Sequence, residues 1–175
     1  PAPGARAMCP WLPIAVVLTA VLAVHATSLG GPFFWDDEQL IFENPAVRHG
    51  AALTEWFLKP FWQPGVLETN VRWMYRPLTV LSYRLDWLIH GDNPAGYHLT
   101  NVLLHVGNAS LLYLVATRLG AARVAAALAA ALFGLLPRLT ECSAWISGRT
   151  DMLALAAVLG AFLLWPWQPG QGRPP

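Results

Sequence analysis

Hydrophobic residues fall in four long runs along this chain, and most polar residues collect between the first run and the second. The first run, "WLPIAVVLTAVLAVHATSL" at residues 11–29, approaches the roughly 20 apolar residues needed to cross a bilayer. A cleaved signal peptide is the alternative reading, with small residues in "VHATS" near a cleavage point; only Arg6 precedes the run, which argues against it. Runs at 97–119, 123–140 and 151–167 predict three further spans, the last two short and alanine-rich. The pattern predicts an all-α polytopic fold: one membrane domain over 1–175, with about four spans and a long loop at 30–96.

Two stretches inside that loop carry helical signals. In "YRPLTVLSYRLDWLIHGDNP", Pro77 and Gly91 mark a start and a stop, and Leu78, Leu81, Leu85, Leu88 and Ile89 share one face. Arg84 and Asp86 interrupt a spanning reading, and roughly 14 residues reach only about 21 Å, so a helix lying along the membrane interface is expected. The aromatic stretch at 54–62, "TEWFLKPFW", predicts a second short element broken at Pro60, and the Pro/Gly tail from 168 predicts none.

The second run contains His98, Asn101, His105 and Asn108 at steps of three, four and three, which places them on one stripe. Such a stripe either bonds to a neighbouring helix or lines a cavity. The two histidines are seven residues apart rather than four, so no metal site is expected. The "NAS" sequon at 108–110 lies mid-span, out of reach of glycosylation.

Composition sharpens the class. The chain is 55% hydrophobic and 12% charged, where a soluble domain carries about 25% charged residues. A net charge of +1 argues against a nucleic-acid partner. Cys9 and Cys142 give neither a disulfide framework nor a metal site. Arg6, Arg118 and Arg123 predict that the termini and the turn after span two face the cytoplasm; the 30–96 loop and residues 140–151 then lie outside. That topology gathers Asp36, Asp37, Glu38, Arg76, His98, Asn101, Glu141, Arg149 and Asp151 at the outer face. Carboxylates that deprotonate a hydroxyl, beside arginines that hold a phosphate, suit a reaction on a phosphate-bearing lipid.

In order and spacing, "FFWDDEQLIFENP", "YRPLTVLSYRLDWLIHGDNPAGYHLTNVLLHVGNASLLYLV" and "LTECSAWISGRTDML" resemble the amino-terminal part of GT-C membrane glycosyltransferases. The similarity is to the protein O-mannosyltransferase-like subgroup with tetratricopeptide repeats, over about residues 12–165. The resemblance implies inverting transfer of a mannose-like sugar from a polyprenyl-phosphate donor to a hydroxyl on a protein or glycan acceptor. That lipid-linked sugar is a co-substrate, and no cofactor or divalent metal is implied. The resemblance places the general base at Asp36 or Asp37, with Asp36 preferred as the first of the pair. Arg76 and Arg149 become candidates for the donor phosphate, Glu141 a supporting acid, and His98, Asn101 and Asp151 further lining. Relatives read His-Pro-x-His-Thr-Glu where this chain has "LPRLTE", so Leu136 and Leu139 stand in place of two imidazoles. Relatives also continue through further spans and helical repeats. A fragment, a further membrane subunit, or a non-catalytic protein retaining the fold are the readings this leaves open. The expected setting is a bacterial inner membrane with the active face periplasmic.

Overall fold

A computed structural model describes residues 9–50, 57–58 and 75–166; of the 54–62 segment only Phe57 and Leu58 are included, and the tail from 168 lies outside. Every regular element among the described residues is helical. Helix α1 (Leu12–His25) carries a proline in its first turn, where no helical N–H bond is lost, and runs on into a 3₁₀ turn, Ala26–Gly30. Helices α2 (Pro45–Arg48) and α4 (Pro94–Arg118) both open on an Asn-Pro pair. Asn44 accepts from Ala46 N–H at 3.0 Å and Asn93 from Ala95 N–H at 3.1 Å. Between them, α3 (Pro77–His90) begins at its proline and stops at Gly91, whose φ of 57° suits a residue without Cβ. Helices α5 (Arg123–Leu135), α6 (Thr140–Ala144) and α7 (Arg149–Leu164) complete the chain.

Among the described residues, three stretches are long and apolar enough to cross a membrane: Leu12–Gly30, Pro94–Arg118 and Ile146–Leu164. The pair Arg123–Leu135 and Pro137–Ala144, bent by 55°, gives a fourth if it crosses as one unit. Some boundaries differ from those read in the sequence. The second span starts at Pro94 because Asn93 caps it, and α5 ends at Leu135 because Pro137 stops the regular ladder.

Helix α4 is central and packs on α1, α5 and α7. One apolar cluster joins Ile14, Tyr113, Ala126, Ala127 and Ala130. A second, at the acidic end of the bundle, joins Leu40, Ile41, Val47, Tyr83, Tyr97 and Ile146. The helices otherwise turn their apolar side chains outward. On α3 the exposed residues are Leu78, Leu85, Leu88 and Ile89, and the buried ones Thr79, Val80, Tyr83 and Asp86. A helix with leucines outside and polar groups inside is built for hydrocarbon surroundings. Small residues permit close approach: a Cβ added to Gly134 of α5 would lie 2.4 Å from Val21 Cγ2 of α1.

Candidate active site

The "WDD" stretch turns at Trp35, whose φ of 55° is left-handed for a bulky residue and stores about 1–3 kcal/mol of strain. That turn sets Trp35, 78% exposed, over Trp145, with centroids 6.1 Å apart and rings 16° from parallel. The next two residues take opposite fates. Asp37 is buried, and both of its oxygens accept main-chain N–H groups, Oδ1 from Ser147 at 3.0 Å and Oδ2 from Phe34 at 3.1 Å. Burial pushes its carboxyl up to about 6, against the lowering effect of those two bonds and with added repulsion from Asp36. Asp36 is half-buried. Its Oδ1 accepts from Trp145 Nε1–H at 3.0 Å and from the Ser147 hydroxyl at 3.1 Å.

Two cavities flank Trp145. One of about 450 Å³ is lined by Gly31, Pro32, Phe34, Trp35, Glu141, Ala144 and Trp145. The other, of about 270 Å³, is lined by Arg138, Leu139, Glu141, Cys142, Gly148 and Asp151 with Trp145. Glu141 therefore borders both, and its carboxylate pairs with Arg138. Leu139 lines the smaller cavity and Leu136 is exposed, so the first supplies hydrocarbon where an imidazole was expected.

Several sequence candidates lie inside the bundle instead. Arg149 was read as a phosphate ligand, but it is fully buried beneath the site. Its Nε donates to Asn101 Oδ1 at 2.7 Å, Nη2 to the Tyr97 carbonyl at 2.9 Å and Nη1 to Ser82 Oγ at 3.3 Å, and Nη1 lies 2.6 Å from Asp86 Oδ2. Asn101 is equally engaged: its Nδ2 lies 3.1 to 3.4 Å from the carbonyls of Cys142, Trp145 and Ile146. Asn108 donates to the Met152 carbonyl at 2.9 Å, and His105 Nε2–H to that of Gly134 at 3.2 Å. Three of the four stripe residues thus bond helix to helix. His98 is buried with neither ring nitrogen hydrogen-bonded among the described residues, and a Cβ added to Gly31 would lie 3.0 Å from its Nε2. Arg76 caps the start of α3 and donates to Thr150 Oγ1 at 3.3 Å. Asp36, Asp37, Arg76 and Arg149 all act electrostatically on the Tyr83 hydroxyl, so they share one neighbourhood.

Sequence reasoning missed Trp145 and Ser147, the donors to Asp36, which carry no spacing signal. It also missed Asp86 as the partner of Arg149, although an acid on an apolar helix demands a counter-charge. His25, left in the first span without a role, has Nδ1 at 2.5 Å from Ser143 Oγ and donates Nε2–H to the Gly134 carbonyl at 2.9 Å. Among the described residues, no group of three or more metal-ligating side chains occurs.

No family model and no solved structure matches the chain. Curated proteins do. The chain is 37% identical over 177 residues to Protein O-mannosyl-transferase TMTC1 of Mus musculus, covering 98% of this chain and 19% of that protein. It is 35% identical over 140 residues to Tmtc1 of Drosophila melanogaster (80% of this chain, 16% of that one). With TMTC4 of Homo sapiens the identity is 33% over 162 residues (85% and 22%). The chain thus spans about a fifth of the length of these relatives. Over the matched residues it belongs to the TMTC-type protein O-mannosyl-transferases and is a membrane protein of that family.

Proposed function

We propose that this chain forms the acceptor-activating part of an inverting GT-C glycosyltransferase, with Asp36 as general base. The carrying observation is the unequal treatment of two adjacent acids. Asp37 is sealed with both oxygens engaged, whereas Asp36 is half-buried and, among the described residues, binds its neighbours through Oδ1 alone. In this reading Asp36 Oδ2 takes the proton of an acceptor hydroxyl, whose oxygen attacks the sugar's anomeric carbon. The bond from that carbon to the donor phosphate breaks, and polyprenyl phosphate leaves with the electron pair. The acceptor segment of a protein or glycan lies along the aromatic cavity beside Trp35 and Trp145. Arg76 stays the candidate for the donor phosphate; Arg149 does not, because its donors are turned into the bundle. Glu141 and Asp151 border the neighbouring polar cavity, and His98 braces the start of the loop.

The active face is the non-cytoplasmic one, opposite the arginine-bearing turn at Arg118 and Arg123. The relatives are animal proteins, so they lend no support to a bacterial inner membrane. Further membrane segments or a further subunit complete the donor site. A second reading, a non-catalytic protein that keeps the fold for assembly, draws on Leu136 and Leu139 in place of two imidazoles.

The deciding test is transfer from a radiolabelled polyprenyl-phosphate mannose by membranes carrying this chain, Asp36→Asn or Asp37→Asn. Asp36→Asn should reduce transfer by about 10²–10⁴-fold, and Asp37→Asn by less. Equal transfer by the parent and Asp36→Asn sinks the base assignment. No transfer by the parent favours the non-catalytic reading for these residues.

A further inference from the structure

Ser147 touches both acids with different atoms. Its main-chain N–H binds Asp37 Oδ1 at 3.0 Å, and its hydroxyl donates to Asp36 Oδ1 at 3.1 Å. Trp145 sends its indole N–H to that same Asp36 oxygen at 3.0 Å. We infer that Ser147 and Trp145 are positioning residues for Asp36, pinning Oδ1 from two directions and presenting Oδ2 to the acceptor hydroxyl. The inference rests on the reading of Asp36 as base and adds the residues that aim it.

The physical need is clear. The terminal torsion of an aspartate is broad and nearly two-fold, so a half-exposed carboxylate exchanges its oxygens freely unless something fixes the plane. Two donors converging on one oxygen fix it, and bonds to an ionised acceptor are the stronger kind. The donors are themselves held. Ser147 is anchored by its own N–H on Asp37, which assigns that buried acid a structural job. Trp145 is held under Trp35, and this explains why a bulky residue adopts the left-handed turn one position before the base. Consecutive acids thus divide the work: Asp37 fixes the clamp and the clamp fixes Asp36.

The clamp has a signature apart from packing. Both donors stabilise the ionised carboxylate, so removing either must make Asp36 easier to protonate. Ionisable groups near this place are Asp37, Arg76, Tyr83, the Arg149–Asp86 pair and, across the cavity beside Trp35 and Trp145, Glu141. The chain holds five aspartates, few enough for carboxylate carbon NMR with selectively labelled aspartate in detergent micelles. Ser147→Ala keeps the main-chain N–H, and Trp145→Phe keeps an aromatic ring under Trp35. In each variant the Asp36 titration midpoint should rise by about one pH unit, given that bonds to charged groups contribute about 1.5–3 kcal/mol. In Ser147→Ala the Asp37 midpoint should stay in place. An Asp36 midpoint unmoved in both variants, with helicity unchanged, overturns the inference. The acidic limb of kcat/KM should move with the midpoint in the same direction. A shifted midpoint in a chain that transfers no sugar upholds the clamp and rejects the base, so the two failures are distinguishable.

Discussion

At the scale of single residues, buried charge is the feature that most needs explaining. Arg149 and Asp86 are both removed from solvent, and Asp86 also accepts from Thr100 at 2.7 Å. Taking one partner away leaves an uncompensated charge, which costs about 3–5 kcal/mol. Arg149→Met should therefore lower thermal stability in detergent sharply, and Asp86→Asn added to it should recover much of the loss. A mild Arg149→Met phenotype would refute the lock. Asp37 makes a prediction with the opposite sign from an ordinary surface acid. Its carboxyl is raised from 3.8 to about 6, so between those values the folded chain binds more protons than the unfolded one. Stability supplied through this group is full below about 4 and is lost as pH rises toward 6, by about 2–3 kcal/mol in all. Measured as parent minus Asp37→Asn, to cancel the other acids, the unfolding free energy should fall across that window and level off above it. The sequence singled out the acidic pair as candidates but held no sign of how the pair is divided. That depends on Ser147 and Trp145, more than a hundred residues away in the chain.

Helices were more legible than contacts. The prolines, the Gly91 stop and the one-sided polar stripe of α4 are local signals, and the helices follow them. On α3 the leucine face was legible too, while the duties of its two charges were not. Arg84 donates to the carbonyls of Val47 and Arg48 at the end of α2, and Asp86 pairs across to α7. Helix proximity is likewise a tertiary fact. Gly134 lies against Val21, and its carbonyl, freed from the helical ladder ahead of Pro137, receives His25 and His105. Gly134→Ala should destabilise the bundle by about 1–3 kcal/mol, since a Cβ there forces α1 and α5 apart. Val21→Ala should relieve it in the double variant. Gly107→Ala, where a Cβ meets nothing within 4 Å, is the control and should be tolerated. Equal losses at both glycines would refute close packing as the cause.

For the whole molecule, the two ends of the bundle differ in chemistry, and the chain's two cysteines report on them separately. One end carries Arg118, which donates to the Trp165 carbonyl at 3.1 Å, and Arg123, whose guanidinium lies 5.8 Å from the Trp11 ring. Cys9 is exposed just before α1, at this end. The other end carries Asp36, Asp37 and the cavities, and Cys142 is half-buried in the wall of the smaller one. For the acids and Cys142 to share one face, the chain has to recross the membrane between Arg123 and Cys142 through α5 and its 55° bend, since α4 ends at the arginine end. A membrane-impermeant maleimide applied to sealed, uniformly oriented vesicles tests this directly with Cys9→Ser and Cys142→Ser variants. Reagent on the acidic side should modify Cys142, slowly because it is half-buried, and leave Cys9 untouched until the vesicles are opened. Reaction of both thiols from one side would mean that the bent pair does not cross. The acids and residues 145–147 would then lie on opposite faces, and the bonds from Trp145 and Ser147 to Asp36 could not form.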